Sequence, residues 1–324
     1  MEGKTYIMNT LHGVAGKPIP AITVAIATLN RPNNLARALD ALARGEMLPH
    51  QVIVVDQSSG TESRSVVEGM LDRLPLLYVH SHRLGLSHNK NVAIKLATCP
   101  YIAFTDDDCV ADPWWVLTLA RGFGDADAPV GLSGRVLPLG PERPGLYAVS
   151  SRTDQQPATY TGKAPPWQVG TGGNMAVSAS WLRRVHGFDE RLGAGAPLQA
   201  GEDIDIIYRL LGAGARWRYE PQAIIYHERQ TLQRRIATRY GYGMGIGAFL
   251  AFRLGARDPY AVRLLLNWLL TRSWELAGHI RRREVRQVRE EALFLLGTVA
   301  GLFRGLILRF RRRRHRPESR NTTI

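Results

Sequence analysis

At 324 residues, 45% of them hydrophobic, the chain is long enough to bury one large core or two smaller ones, which excludes a disordered polypeptide. Its two cysteines, Cys99 and Cys109, exclude a disulfide framework and offer no zinc spacing, so a reducing compartment is expected. The net charge of +14 is uneven, because Arg281-Arg282-Arg283 and Arg311 to Arg314 crowd the end, and such a tail seeks nucleic acid, anionic lipid or a phosphorylated substrate.

Residues 1–20 mix Gly and Pro with polar residues and read as a lead-in. They lack a basic start followed by an apolar run, so no signal peptide is predicted and the catalytic part is placed in the cytoplasm. Ala21 to Thr28 is a near-continuous apolar run, the signature of a strand covered on both faces. Leu29-Asn30-Arg31-Pro32 breaks it. Pro32 suits the first turn of a helix, and Leu35, Leu39 and Leu42 then recur at helical spacing. Gln51 to Val55 is a second buried strand, closed by Asp56 and the polar turn to Gly60. The spacing predicts a helix over 62–73, a third strand at 76–79, a loop and helix over 85–97, and a fourth strand from Tyr101 to Thr105.

This alternation predicts an α/β fold whose central sheet is mostly parallel, with helices on both faces. Ligands of such sheets sit beyond the carboxyl ends of the strands. Polar residues gather there: Asn30 and Arg31 after the first strand, Asp56 after the second, Asp106 to Asp108 after the fourth. No GxGxxG follows the first strand, which argues against a dehydrogenase-type dinucleotide fold.

Asp106-Asp107-Asp108 carries the sharpest chemistry. Alternate side chains of an extended segment point the same way, so Asp106 and Asp108 converge while Asp107 turns aside. Like charges this close resist ionising together, and a hard divalent cation, Mg²⁺ or Mn²⁺, relieves the conflict. A solvated acidic turn is the alternative. Trp114 and Trp115 follow; they suit either sugar stacking or helix packing.

Residues 138–172, rich in Pro, Gly, Ser and Thr, read as a long loop. Gly170-Thr171-Gly172-Gly173-Asn174 fits a close backbone approach to a ligand, or a plain turn. Helices are expected at 179–186 and from Gly201-Glu202-Asp203 onward, and two short strands around Glu220-Pro221, ending at His227. A boundary is placed near 228, with three or four helices over 230–310. Leu293 to Phe310 is the most apolar stretch, but Arg304 interrupts it and the rest is short for a span of ~20 residues. A helix lying in the membrane interface, with Arg311 to Arg314 on anionic headgroups, is the first reading. A single span is the second, and a soluble packing or dimerisation module the third.

In this order, Thr28-Leu29-Asn30-Arg31, VVDQSS at Asp56, GLSHNKN at 85–91, FTDDD at 104–108, GTGGNMA at 170–176, GEDID at 201–205 and His227 resemble the inverting family-2 glycosyltransferases of GT-A fold, over about residues 20–230. The resemblance implies a GT-A catalytic domain at 21–228, after a 1–20 lead-in and before a helical, basic, membrane-associated region at 229–324. It implies a sugar moved from a nucleotide-diphosphate donor to a hydroxyl of a saccharide or lipid-linked acceptor, by one displacement. Thr28, Asn30, Arg31, Asp56 and Asp106 would hold the donor, with Asp56 accepting from the base. Lys90 would touch the diphosphate, although the family often has Arg there. Asp106, Asp108 and His227 would hold the metal and Asp203 would be the general base. Gly172, Gly173, Asn174, Glu202 and Trp115 would meet the acceptor. The expected partners are a sugar nucleotide, the acceptor and an anionic membrane surface at the inner face of the plasma membrane, with a homodimer through the C-terminal helices as an alternative and no nucleic acid. A non-catalytic sugar-nucleotide-binding protein is the competing function, and a basic nucleic-acid-binding protein a third.

Overall fold

The structure, a computed structural model, describes residues 19–314, with side chains through 308. Most of the lead-in, and the side chains of Arg311 to Arg314 assigned to headgroups, therefore lie outside the described residues. The expected opening alternation is present: β1 (Ile22–Thr28), α1 (Pro32–Ala43), β2 (Gln51–Asp56), α2 (Glu62–Glu68), β3 (Leu76–His80), α3 (Leu86–Leu96) and β4 (Tyr101–Asp106). Helix α2 stops at Glu68, short of residue 73, with Gly69 as its C-cap. There follow β5 (Cys109–Ala111), α4 (Trp115–Gly124), β6 (Gly131–Pro138), β7 (Leu146–Tyr147), β8 (Ala158–Tyr160), β9 (Met175–Ser178), α5 (Ala179–Arg184), α6 (Glu202–Gly212), β10 (Trp217–His227) and β11 (Gln230–Thr231). The segment read as loop over 138–172 thus contains two short strands. The two strands expected around Glu220-Pro221 are one strand, β10. Its register against β6 shifts between Glu220 and Ile224, and Pro221, with no N–H to give a ladder, sits in that irregularity.

The main sheet runs β3-β2-β1-β4-β9-β6-β10-β5, with β8 on β10. Strands β3, β2, β1 and β4 are parallel, whereas β9 is antiparallel to both β4 and β6. Register places Thr28 opposite Asp56 and Ala27 opposite Asp106, so the polar ends of three strands lie on one level. Alternation along β1 feeds two cores: Ile22, Val24 and Ile26 pack with α1, α2 and α4, and Ala25 faces α3, α5 and α6 on the other side.

Three long helices follow: α7 (Leu232–Gly255), α8 (Pro259–Arg281) and α9 (Val285–Arg314). Helices α7 and α9 run parallel and touch backbone to backbone. A methyl added at Gly243 or Gly247 would strike the carbonyls of Phe294 and Thr298, and one at Gly297 or Gly301 those of Tyr240 and Met244. These glycines stand four apart on each helix, a spacing that lets helix axes approach closely. Ile246, Phe249 and Leu250 of α7 and Leu264 of α8 pack on Ile204 and Tyr208 of α6, so the helical region rests on the helix that carries Asp203 in its first turn.

Candidate active site

The strand-end acids sort as their alternation requires. Asp107 turns aside: its carboxylate accepts from Thr28 Oγ1 at 2.8 Å and from Arg31 at 3.0 Å. Burial pushes its pKa up to about 6, against the pull of Arg31. Asp106 and Asp108 converge with Cys109 and His227, one ligand atom from each lying within 4.8 Å of the others. Burial raises the pKa of Asp106, Lys90 opposes this, and Asp108 adds to it. His227 Nε2 is 3.6 Å from Asp108, and its Nδ1 donates to the Glu228 carbonyl at 2.8 Å, which leaves the Nε2 lone pair facing the acids. Two carboxylates and an imidazole fit a divalent cation. The Cys109 thiol, missed in the sequence because its neighbours supplied no zinc spacing, is pushed well up by burial and stays protonated, a poor ligand.

Asp203, in the first turn of α6, lies across the same cleft. Its carboxylate accepts the Gly172 N–H at 2.9 Å and the Ile204 N–H at 2.8 Å. Burial and then Glu202 raise its pKa to about 6. The next glycine, Gly173, is bare of a side chain for a reason: a methyl there would lie 2.9 Å from Asp106 Oδ2. Adjacent residues of one turn therefore bring the two carboxylate centres together.

Several residues expected to face ligands are instead paired inside. Lys90 is buried and bonds Glu202 at 3.2 Å, so the residues expected to meet the diphosphate and the acceptor hold each other here, with Glu202 at the cleft surface. Asn174 and Trp115 are fully buried and bonded to each other, Trp115 Nε1 donating to Asn174 Oδ1 at 2.9 Å. Asn174 Nδ2 ties Arg135 and Ala223 carbonyls together, which corrects the expected acceptor contact of both residues. The half-exposed neighbour is Trp114. Asp56 is also fully buried, accepting from the Ser58 N–H and the Tyr78 hydroxyl, and so shapes the loop after β2. Asn30, at positive φ, stitches β1 to that loop through Ser58 and Ser59.

Asp106, Asp108, His227 and Asp203 open on a cleft of about 810 Å³. One end is framed by Thr28, Gln57 and Gly85, the middle by Asp106, Asp108 and Asp203, and the far wall by α7, with Arg235, Arg239 and Tyr242. The sequence reading placed α7 beyond the boundary at 228 and missed this wall. The signal available was the helical spacing of residues 235, 239, 242 and 246.

The Glycosyl transferase family 2 model matches residues 23–185. A pre-mycofactocin glycosyltransferase of Mycobacterium tuberculosis is 31% identical over 239 residues, 72% of this chain and 48% of the relative. The chain spans about half the length of these curated relatives. Among solved structures, the mannosyltransferase PcManGT of Pyrobaculum calidifontis, in complex with GDP-Man and Mn²⁺, superposes with a TM-score of 0.59 at 19% identity, covering 88% of each chain. S. aureus TarS 1-349 in complex with UDP-GlcNAc gives 0.54 at 15% identity, covering 88% of this chain and 91% of that one. These two establish a shared fold, the mixed sheet with flanking helices and a C-terminal helical part.

Proposed function

Because the chain belongs to glycosyl transferase family 2, we propose that it moves a sugar from a nucleotide-diphosphate donor to a hydroxyl of a saccharide or lipid-linked acceptor, with inversion at the anomeric carbon. The observation that carries this reading is the Gly172-Gly173 turn. Gly172 binds Asp203 and Gly173 abuts Asp106, which sets a carboxylate base beside the strand-end acids across one cleft.

Asp106, Asp108 and His227 would hold a divalent cation. The cation, when bound, supplies Lewis-acid stabilisation of the charge on the departing nucleoside diphosphate. Arg31 braces Asp107 and Asp108, at 3.0 and 3.1 Å, and keeps the acidic turn in place. Both Asp203 oxygens accept one amide each and retain a further lone pair for the acceptor hydroxyl proton. A base with pKa near 6 is ionised at neutral pH yet retains proton affinity, the condition general-base catalysis favours. One base and one displacement give inversion. The test is a thermal-shift screen of UDP-, GDP-, dTDP- and CDP-sugars with Mn²⁺ or EDTA, followed by NMR of the product anomer. Binding indifferent to EDTA, or retained configuration, overturns the reading.

The acceptor side of this reading includes a membrane. Among the described residues one helix, Val285–Leu308, is long and apolar enough to cross a bilayer, with mean hydropathy 1.7. Its glycine face is occupied by α7, so a span would require leaving that contact. Val262, Leu266, Leu270 and Trp274 of α8, and Leu296, Val299, Phe303 and Ile307 of α9, are exposed. In-plane insertion of these faces keeps the α7 contact intact and suits an interfacial anchor.

A further inference from the structure

The far wall of the cleft carries charge that the transfer step leaves unused. Arg235 and Arg239, one turn apart on α7, both turn to Glu290 of α9, at 2.9 and 3.1 Å, and Arg286 approaches the same carboxylate at 3.9 Å. Three guanidiniums thus share one buried carboxylate, and two of them, Arg235 and Arg239, line the cleft. Burial, and then Arg235, push the Arg239 guanidinium below its usual range, against the pull of Glu290 and Glu291. Gln230 lines the same cleft, is buried, and leaves its side-chain oxygen without a partner. An amide can present either end by a half-turn, so Gln230 can also donate. Phe294 lies under the Arg239 guanidinium, and Val149 and Ile246 add apolar surface to the same cleft. The donor diphosphate belongs at the other group of charges, where Arg234 stands 3.5 Å from Asp108.

We propose that Arg235, Arg239 and Gln230 form a second anion site, which binds a phosphate or diphosphate carried by the acceptor. The proposal rests on the transferase reading above and names the class of acceptor. Guanidinium pairs match phosphate oxygens in geometry as well as charge. Glu290 holds the forks in place until the anion arrives and competes with it. The phosphate can come from a lipid carrier or from a soluble phosphorylated saccharide.

The experiment uses the full chain with Mn²⁺ and a saturating nucleoside diphosphate, chosen by the stabilisation it gives. Farnesyl diphosphate and glucose 6-phosphate are titrated calorimetrically. Arg239→Gln and Arg235→Gln should weaken the bound probe at least tenfold, while the affinity for nucleoside diphosphate stays the same. Glu290→Gln, which frees the guanidiniums, should tighten it several-fold; a purely structural role for the triad gives no such gain. A preference for farnesyl diphosphate supports the site with a lipid carrier as the source, and a preference for glucose 6-phosphate supports it with a soluble saccharide. Probe affinity unchanged in Arg239→Gln and Glu290→Gln overturns the proposal. So does a parallel loss of nucleoside diphosphate affinity in Arg239→Gln, which would give the arginines to the donor. Farnesyl diphosphate bound through Arg239 in a chain that binds no nucleoside diphosphate would remove the transferase reading and leave the anion site standing.

Discussion

His227 Nε2 stands 3.6 Å from Asp108 Oδ1 with its other nitrogen tied to the Glu228 carbonyl. β10 delivers the histidine to that point, since its last register pair with β5 is His227 against Cys109, the residue after Asp108. The ring is therefore oriented before any cation arrives. His227→Ala should weaken Mn²⁺ binding roughly ten- to hundred-fold, and Asp108→Asn should weaken it more. Calorimetric titration of Mn²⁺ decides: an unchanged affinity in His227→Ala takes the imidazole out of the ligand set.

Asp203 makes a prediction with two signs. Activity should rise with pH through about 6, because only the ionised carboxylate takes a proton. Stability should move the other way. Between the ordinary aspartate value of 3.8 and about 6 the folded chain keeps a proton that the unfolded chain has released. This group's contribution to stability therefore falls as pH rises through that window. Asp203→Asn should reduce turnover by ~10²-fold or more with donor binding retained. A variant with near-normal turnover would move the base elsewhere.

The Lys90–Glu202 pair lies directly behind that base, and its two charges push Asp203 in opposite directions, Glu202 upward and Lys90 downward. Lys90→Met should shift the acid limb of the pH–rate profile to higher pH, and Glu202→Gln should shift it lower. Lys90→Met should also lose about 3–5 kcal/mol by leaving a buried carboxylate unpaired, and the double variant Lys90→Met/Glu202→Gln should recover much of it. If the two single variants shift the limb in the same direction, the electrostatic coupling is wrong.

Strand ends were legible because runs such as Ala21 to Thr28 carry their own signal, and a parallel sheet collects those ends on one level. The convergence of Asp106 with Asp108, and the turning aside of Asp107, likewise follow from strand periodicity. The pairs that tie up Lys90, Glu202, Asn174 and Trp115 do not. Trp115 and Asn174 are 59 residues apart and Lys90 and Glu202 are 112 apart, so each polar side chain looked free when read alone. Near a motif, an unpaired polar residue is easily taken for a ligand. The wall formed by α7 was missed for a related reason: composition changes after His227, but packing does not stop there.

The glycine seam between α7 and α9, 243 and 247 against 297, 301 and 305, has a steric consequence. Gly247→Val would drive a branched side chain into the Thr298 carbonyl, and Gly301→Val into that of Met244. Neither backbone can retreat, so each should destabilise by about 1–3 kcal/mol or more. Gly212, whose added methyl would meet nothing within 4 Å, is the control for a helical glycine. Gly212→Ala should leave the thermal midpoint unchanged or raise it, whereas equal losses at all three positions would refute a tight seam.

The last prediction concerns the exposed outer faces of α8 and α9. Cutting the chain after Glu291 would remove the anchor, but would also bare the glycine face of α7 beside the cleft, so surface substitution is the cleaner test. Leu270 is 68% exposed, Trp274 81% and Phe303 65%, and none of the three is held by the seam. Leu270→Ser/Trp274→Ser/Phe303→Ser should therefore keep the fold and sugar-nucleotide binding while detaching the protein from vesicles. The intact chain should float with vesicles containing anionic lipid at low salt, and high salt should release it only in part, since basic residues contribute roughly 1 kcal/mol each and the apolar faces the rest. Trp274 fluorescence should shift to the blue as its ring leaves water. A true span would resist both high salt and the triple substitution, because removing three outer side chains does not extract a helix already across the bilayer. An intact chain that stays in the soluble fraction with anionic vesicles at low salt would refute both the in-plane anchor and the span, and would leave the outer faces to a second protein surface, with a second copy of this chain the first partner to test by sedimentation.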